Sequence, residues 1–256
     1  MIIMLHSYKG GTGKTLLSVN LATTLANRGK RVCLLDLDFR APSLHVIFKT
    51  GRSEKWLNDY LNRLCEIDKV LSDCTPKNIK KGKLFVGFAD PSTVAIRDMA
   101  SKGRKWEIKA LTRLLSLKNS LLKELNFDYV IFDTSPGLQC SSINAIVSTD
   151  VVLIVTTLEK SDIEGTQRMI TEHYELFEKK TEVIVNKLPA EFLTSKNRKK
   201  KHVNLETLQL PIVGAIPCSC EILNSKGKCF FVSEKPTLPF SKTVLKIAKK
   251  IEHYQL

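Results

Sequence analysis

The stretch "SYKGGTGKTLLS", residues 7–18, decides the fold of this chain. It places three glycines between two lysines, Lys9 and Lys14. An apolar run, Ile2–His6, precedes the stretch and predicts a short buried strand, while apolar residues recur after it at helical spacing. A strand, a glycine loop and a helix in this order are the setting of a phosphate-binding loop. The sequence therefore predicts an anion site at the turn between a strand and a helix.

The glycine loop has the chemistry that a triphosphate requires. Because glycine lacks Cβ, the backbone can wrap closely around an anion, and the N–H groups of residues 10–15 can point at it together with the positive end of the helix dipole. Lys14 is expected to reach the β- and γ-phosphates, and the Thr15 hydroxyl is expected to ligate Mg²⁺. The predicted loop contacts to nucleotide are Lys9, Gly10, Gly11, Thr12, Gly13, Lys14, Thr15 and Leu16.

Buried strands alternate with helices along the rest of the chain. Continuous apolar runs predict strands in residues 31–38, 83–89, 129–133, 150–157, 181–186 and 211–217. Helical spacing predicts helices over residues 54–72 and 105–125, and a last helix for which Ser241 is the candidate cap. This alternation predicts an α/β fold: a doubly wound, mostly parallel sheet with helices on both faces, in one P-loop NTPase domain over residues 1–256.

The composition is that of an ordinary globular protein with a strong positive charge. Of the 256 residues 43% are hydrophobic, and the net charge is +14. The apolar N-terminal run is too short for a signal peptide or a membrane span, so a cytoplasmic location, with the nucleoid as one option, is expected. The charge favours polyanionic partners such as nucleic acid or acidic membranes. Seven scattered cysteines predict mostly free thiols in a reducing compartment.

Several boxes of the sequence resemble those of one family. The loop matches K-G-G-x-G-K-[ST], the deviant Walker A box, because Tyr8 stands where the strict pattern has glycine. The stretch "FDYVIFDTSPGLQCSSINAI", residues 127–146, is similar to a Walker B and switch II region. Over nearly its whole length the chain resembles the ParA/MinD group of ATPases. The resemblance implies a homodimer that forms around Mg²⁺-ATP, hydrolyses it slowly and is stimulated by a partner protein.

The resemblance gives Lys9 a special role. The equivalent lysine of the family reaches across the dimer interface to the partner's phosphates, so the nucleotide becomes part of the interface. The alternative is that Lys9 neutralises phosphate within its own chain. By the same resemblance, Asp38 corresponds to the carboxylate that orients the attacking water. Lys9, Lys14 and Asp38 are therefore the predicted catalytic residues.

Three further residues are expected near the metal and the γ-phosphate. Asp36, with Asp38, lies at the end of one predicted strand and Asp133 at the end of another, and ligands of an open parallel sheet sit at the carboxyl ends of its strands. Asp133 fits Walker B geometry and is expected to act on Mg²⁺ through a water, while Asp36 is expected to support the Mg²⁺ region. Gly137, in the stretch that resembles switch II, is expected to register the γ-phosphate. For the aspartates, including Asp38, a role as a helix cap or an exposed strand end is the alternative.

The stretch "NKLP", residues 186–189, bears on the choice of base. The guanine signature N-K-x-D ends in an aspartate, but Pro189 stands in that position and has no acceptor side chain. Asn186 can still pair with the adenine edge, and Pro217 lies where the family has its base loop. Both residues are therefore predicted to contact nucleotide, and ATP is predicted over GTP.

The sequence leaves two candidate surfaces for an ATP-bound dimer, DNA and a membrane. A basic cluster favours non-specific DNA binding, as in chromosome partition; the alternative is that the cluster is simply a solvated loop. The cluster consists of Lys196, Arg198, Lys199, Lys200 and Lys201. Membrane association of the MinD type would use an amphipathic C-terminal helix, but residues 241–256 have the pattern of a core helix. Membrane binding is therefore the weaker alternative.

Two functions of other kinds also remain open. Cys218 and Cys220 form a C-x-C with Cys229 nearby, so delivery of a metal or an iron–sulfur cluster from a site shared by two subunits competes with plain structural thiols. Residues 36–48 resemble a box of bacterial tyrosine kinases, but that function predicts a C-terminal tyrosine cluster and Tyr254 alone lies near the end. A module that holds nucleotide without turnover is disfavoured by the predicted water-orienting aspartate.

Overall fold

One sheet of eight strands organises the described part of the chain. The structure is a computed structural model that describes residues 1–49, 54–189, 205–225 and 229–254. Its strands are β1 (Ile2–His6), β2 (Arg31–Leu37), β3 (Leu71–Asp73), β4 (Lys83–Gly87), β5 (Tyr129–Thr134), β6 (Val151–Thr156), β7 (Lys180–Leu188) and β8 (Ile212–Pro217). Their order across the sheet is β3-β4-β2-β5-β1-β6-β7-β8.

The strand that leads into the glycine loop lies inside the sheet. β1 pairs in parallel with β5 on one side and with β6 on the other, and β2 lies beyond β5 with Asp36 opposite Asp133. β3 at the edge is antiparallel to β4. Because parallel strands end at the same edge of a sheet, the glycine loop and the two aspartates lie at one edge. The predicted mostly parallel α/β fold is confirmed.

Helices cover both faces of the sheet. They are α1 (Lys14–Asn27), α2 (Leu44–Ile47), α3 (Leu57–Leu61), α4 (Thr93–Ser101), α5 (Arg104–Leu117), α6 (Cys140–Ser148), α7 (Lys160–Met169), α8 (Cys220–Leu223), α9 (Phe231–Glu234) and α10 (Pro239–Glu252). π-helical turns over Lys118–Glu124 and Ile170–Tyr174 extend α5 and α7. Apolar residues of α1 and α10 pack on one face of the sheet, and those of α3, α5, α6 and α7 pack on the other.

The helix predicted over residues 54–72 is wrong in its length. Only α3 is α-helical there; Arg63 has a positive φ of 62°, a 3₁₀ turn covers Ile67–Lys69, and β3 follows. β3 pairs with β4, with Leu71 opposite Gly87. This pairing with a strand more than ten residues away overrides the helical spacing, because edge strands depend on tertiary contacts more than on local pattern.

The predicted cap of the last helix is also wrong. The helix begins at Pro239, whose fixed φ suits the first helical position. Ser241 therefore lies inside the first turn, where its hydroxyl donates to the carbonyl oxygens of Lys235 (2.8 Å) and Phe231 (3.1 Å). The serine ties α10 to the preceding short helix instead of capping it.

The apolar side of α10 belongs to the core. Phe240, Val244, Ile247 and Ile251 are buried in the cluster that includes α1 and β8. This agrees with the expectation of a core helix at this position. Among the described helices, none combines the length and the apolar character needed to cross a membrane.

Candidate functional site: a phosphate loop bordered by aspartates

The glycine loop leaves β1 and enters α1 through two residues with positive φ. Gly11 has φ 75° and Gly13 has φ 97°, a region that side chains with Cβ rarely adopt. A Cβ on Gly13 would also lie 2.5 Å from Nδ2 of Asn186. The loop therefore requires glycine at this position for backbone conformation and for space. Because α1 begins at Lys14, its first backbone N–H groups have no partner within the helix and are available to an anion.

The ammonium of Lys14 is held beneath the loop by a hydroxyl. Lys14 is buried, and its Nζ donates to Oγ of Ser7 at 2.8 Å. Oγ of Ser7 in turn donates to the carbonyl oxygen of Lys9 at 2.6 Å. Burial lowers the pKa of Lys14, although the nearby carboxylates of Asp133 and Asp38 favour its charged form. A buried ammonium with a neutral partner is well prepared to bind an anion.

Asp133 lies one residue before the end of β5, next to the first turns of α1. Its Oδ1 accepts a hydrogen bond from Oγ of Ser18 at 3.0 Å, and its Oδ2 is buried without a hydrogen-bond partner. Burial raises the pKa of Asp133 to about 6, while the neighbouring hydroxyls of Thr15 and Ser18 and the ammonium of Lys14 favour its carboxylate form. An unpartnered buried carboxylate oxygen beside a threonine hydroxyl suits a hard cation, which prefers oxygen ligands.

These residues fit the predicted magnesium site. Thr15 and Asp133 would hold the ion, directly or through water, at the end of β5 where the sequence placed it. When bound, Mg²⁺ would neutralise the negative charge that develops on the phosphates during phosphoryl transfer.

Asp36 makes its hydrogen bonds within the turn that follows β2, and not with the glycines of the phosphate loop. Its carboxylate is buried and accepts the backbone N–H groups of Asp38 (3.2 Å), Ser43 (3.3 Å) and Leu44 (3.3 Å). Burial, followed by the charge of Asp133, raises the pKa of Asp36 well above its usual range. Three backbone donors occupy the carboxylate, so its visible role is to shape the turn that carries Asp38. Support of Mg²⁺ by Asp36 stays a prediction.

Asp38 is half-buried at the end of β2 and faces the switch region. Its Oδ1 accepts hydrogen bonds from Oγ of Ser135 at 2.7 Å and from the backbone N–H of Ala41 at 3.2 Å. The structure therefore combines both roles considered for this aspartate: it stabilises a turn and it lies beside the switch stretch. Ser135 is a partner that the sequence patterns did not single out.

Gly137 is connected to the strand that feeds the loop. It has a φ of 73°, and its N–H donates to the carbonyl oxygen of Ser7 at 2.8 Å. Its own carbonyl oxygen lies 2.9 Å from Nε2 of His6. The switch stretch thus packs directly against the start of the phosphate loop, where its predicted contact with a γ-phosphate would be made.

Lys9 lies at the N-terminal end of α7. Its Nζ is 3.1 Å from Oε2 of Glu159 and also donates to Oγ of Ser161. The Lys9 side chain is about one-third exposed, at 36%. In this arrangement the lysine is held within its own chain by a carboxylate, and its contact with phosphate stays a prediction.

Asn186 braces the loop from β7. Its Nδ2 donates to the carbonyl oxygen of Thr12 at 2.7 Å, and the next residue, Lys187, donates from Nζ to the carbonyl oxygen of Gly11 at 2.6 Å. The structure places Asn186 against the phosphate loop, and its predicted contact with adenine stays a prediction. Pro217 is buried at the end of β8, opposite Leu188. Both lie at the edge of the sheet that carries the loop.

The remaining sequence candidates are the basic cluster, the two cysteines of the C-x-C and Leu16. The predicted DNA contacts Lys196, Arg198, Lys199, Lys200 and Lys201 lie outside the described residues. Cys218 and Cys220 are exposed, and in the described ranges no three His, Cys, Asp or Glu side chains group as a metal site would require. The four-thiolate site shared by two subunits stays an untested alternative. Leu16 is partly buried and packs with the α1 side of the core.

Comparison with known proteins identifies the family to which this arrangement belongs. The family model AAA_31, an AAA domain, matches residues 1–186. The septum site-determining protein MinD of Synechocystis sp. is 30% identical over 245 residues, which cover 93% of this chain and 84% of that protein. The chain belongs to the ParA/MinD family of P-loop ATPases. The predictions of an ATPase, of ATP and of Mg²⁺ are confirmed with it.

Solved structures share the fold of this ParA/MinD-family ATPase. The MinC:MinD cell division protein complex of Aquifex aeolicus contains a chain with a TM-score of 0.75 at 24% identity, covering 100% of this chain and 96% of that one. A putative plasmid partition protein of Borrelia burgdorferi B31, bound to AMPPNP, has a TM-score of 0.73 at 21% identity, with 98% of both chains covered. At these identities the likeness shows the fold alone.

Proposed function

We propose that this ATPase is an intracellular positioning switch: an ATP-bound homodimer grips a polyanionic surface, and hydrolysis releases it. The observation that carries the proposal is the position of Lys9. Its ammonium lies beside the phosphate loop, partly exposed, and is held by one carboxylate and one hydroxyl. A lysine so placed can exchange Glu159 for the phosphates of a second subunit, and each exchange would link nucleotide state to dimerisation.

Relatives with positioning roles support this proposal. The similar proteins include a septum site-determining protein and a putative plasmid partition protein, and the MinD of Aquifex aeolicus forms a complex with MinC. We infer a corresponding role in cell division or in segregation for this chain, with a protein partner that stimulates turnover. Pull-down with the ATP-bound dimer would identify this partner protein.

Replacing Lys9 by alanine is expected to remove ATP-dependent dimers while ATP binding by the monomer stays within about threefold. The side chain makes its present contacts on the surface of its own chain, so its loss costs the fold little. Light scattering with ATP and Mg²⁺, beside calorimetric titration of the monomer, measures both properties.

The control for this variant is Lys69→Ala, another exposed lysine, in the turn before β3. It should dimerise like the parent protein. ATP-dependent dimers that persist in Lys9→Ala would assign the lysine to phosphate neutralisation within one chain, the alternative drawn from the sequence.

We propose DNA as the surface, because of the charge of the chain and because of the position of α10. The net charge of +14 favours a polyanion, and the predicted basic cluster of residues 196–201 supplies several cations within six residues. Membrane binding through α10 would need its apolar side, but Val244, Ile247 and Ile251 are buried against the rest of the fold. A lipid surface is therefore disfavoured for this helix.

Neutralising Arg198, Lys199, Lys200 and Lys201 together is expected to weaken DNA binding and its salt dependence. The logarithmic salt slope should fall by about 0.9 for each DNA phosphate that the variant no longer neutralises. Co-sedimentation with DNA and with anionic liposomes, each with ATP and with ADP over a salt series, measures the effect.

A variant with the same loss of charge elsewhere provides the control. Lys77, Lys80, Lys81 and Lys83 are exposed near the start of β4, at the edge of the sheet opposite the phosphate loop. Neutralising these four should leave the salt slope largely intact. An equal weakening of DNA binding in both variants would mean that net charge alone, and not the cluster of residues 196–201, determines DNA affinity. ATP-dependent binding to liposomes but not to DNA would favour the membrane alternative.

A further inference from the structure

A buried histidine connects the switch glycine to the helix that holds Lys9. His6, the last residue of β1, has no exposed surface. Its Nε2 lies 2.9 Å from the carbonyl oxygen of Gly137, and its Nδ1 is hydrogen-bonded to the hydroxyl of Tyr174. Tyr174 is itself buried and ends the π-helical turn that extends α7. The predicted nucleotide contacts do not include either side chain.

The chemistry of the two partners fixes the tautomer of this histidine. A carbonyl oxygen can only accept, so the Nε2 of His6 carries the hydrogen and donates it to Gly137. Nδ1 then presents a lone pair, which accepts from the Tyr174 hydroxyl. Burial lowers the pKa of His6 to about 4, so the ring is neutral near pH 7 and keeps this arrangement. The Tyr174 hydroxyl therefore donates to His6, and His6 donates to the carbonyl of Gly137, so the two hydrogen bonds run in one direction.

Gly137 is held on both sides, but by different groups. The peptide that precedes it donates its N–H to the carbonyl oxygen of Ser7 at 2.8 Å, and the peptide that follows it is held through its carbonyl by His6. With no Cβ, and with a φ of 73°, Gly137 can rotate the first peptide while the second stays in place. His6 thus fixes the carbonyl of Gly137 in place while the N–H of Gly137 can change its partner.

The end of β1 and the start of the phosphate loop contact α7 and its extension at three levels. Lys9 contacts Glu159 and Ser161 at the N-terminal end of the helix. Tyr8 packs on Gly165 so closely that a Cβ there would lie 2.0 Å from its ring. His6 reaches the last residue of the π-helical turn. These three contacts connect the segment of residues 6–9 to both ends and the middle of α7 with its extension.

We propose that His6 and Tyr174 are positioning residues of the ATPase reaction: they hold the carbonyl of Gly137 so that its N–H can exchange Ser7 for the γ-phosphate, and they couple that exchange to α7. The proposal rests on the ATPase activity and on the switch role of Gly137, and it is independent of the surface that the dimer binds. Neither residue touches substrate; both act through Gly137.

Three variants separate the two hydrogen bonds. His6→Leu removes both, Tyr174→Phe removes the one to the tyrosine, and His6→Gln keeps an amide donor for the carbonyl of Gly137. Because a buried carbonyl that loses its donor is destabilised, kcat of His6→Leu is expected to fall about tenfold or more, with the Kd for ATP within about twofold of the parent value. The kcat of Tyr174→Phe should fall about threefold, and the kcat of His6→Gln should lie between those of His6→Leu and the parent protein.

The matched control is Tyr60→Phe. Tyr60 is a buried tyrosine on the same face of the sheet, and its hydroxyl donates to the carbonyl oxygen of Arg113 at 2.7 Å, away from the phosphate loop. It should lower the thermal unfolding temperature without changing kcat. Values of kcat in Tyr174→Phe and His6→Leu that match this control would overturn the proposal, because purely structural hydrogen bonds affect stability alone.

A measurement on the unsubstituted chain decides the matter if His6→Leu fails to fold. In ¹⁵N-labelled histidine spectra, His6 is expected as the Nε2–H tautomer at pH 7, with its signals identified by their loss in His6→Gln. Binding of a non-hydrolysable ATP analogue with Mg²⁺ should shift both ring nitrogens, and Tyr174→Phe should remove the shift of Nδ1. A charged ring, the other tautomer, or signals that do not respond to nucleotide would each refute the coupling.

Discussion

Replacing Lys14 by alanine is expected to abolish ATP binding. The ammonium is buried under the phosphate loop and has a neutral hydroxyl, Oγ of Ser7, as its hydrogen-bond partner. A triphosphate would give this ammonium charged oxygens to bind, and hydrogen bonds between ions contribute about 1.5–3 kcal/mol each. Loss of two such bonds, about 3 kcal/mol or more, raises the Kd by about 100-fold or more. Calorimetric titration with ATP and Mg²⁺ measures this loss.

The fold itself should survive the loss of Lys14. Burial lowers the pKa of this lysine, which means that the folded chain disfavours its charge. The free energy of unfolding without nucleotide is therefore expected to stay the same or to rise in Lys14→Ala. The control is Lys83→Ala, an exposed lysine at the start of β4, which should bind ATP like the parent protein. Tight ATP binding by Lys14→Ala would contradict the assignment of the loop.

The local parts of the site could be predicted from the sequence because they are coded within short stretches. Residues 7–13 form the loop between β1 and α1 as expected, and Asp36 and Asp133 lie one residue before the ends of neighbouring strands, as the apolar runs indicated. A buried parallel strand produces a continuous apolar run, and its carboxyl end faces the ligand edge. Strand order and register then bring these ends together without further information from side chains.

The supporting residues could not be predicted, because their partners are far away along the chain. Ser18 contacts Asp133 across 115 residues, and Asn186 contacts the carbonyl of Thr12 across 174. Serine, asparagine and histidine occur in many other settings, and only the fold brings His6 to Tyr174. The edge strand β3 was missed for a similar reason, since its pairing partner decides its structure. Local patterns predict elements, and tertiary contacts decide which polar groups support the site.

Replacing Asp38 by alanine is expected to lower kcat by about 100-fold or more while ATP still binds. In the structure this half-buried carboxylate lies at the end of β2 and accepts from Ser135 of the switch stretch at 2.7 Å, so it is placed beside the region that the γ-phosphate would occupy. Without a group that orients water, the ATP-bound dimer should accumulate. Phosphate release under saturating ATP, together with light scattering, measures both effects.

Asp36→Asn is the comparison that separates chemistry from folding. Asp36 accepts three backbone N–H groups and shapes the turn that carries Asp38, so its substitution should lower the thermal unfolding temperature more than Asp38→Ala does. An Asp38→Ala protein with the parent's turnover would assign Asp38 to the turn, in keeping with its bond from the N–H of Ala41. A large loss of kcat at nearly unchanged stability requires that the carboxylate act on the attacking water, because a turn-stabilising role alone would change both together.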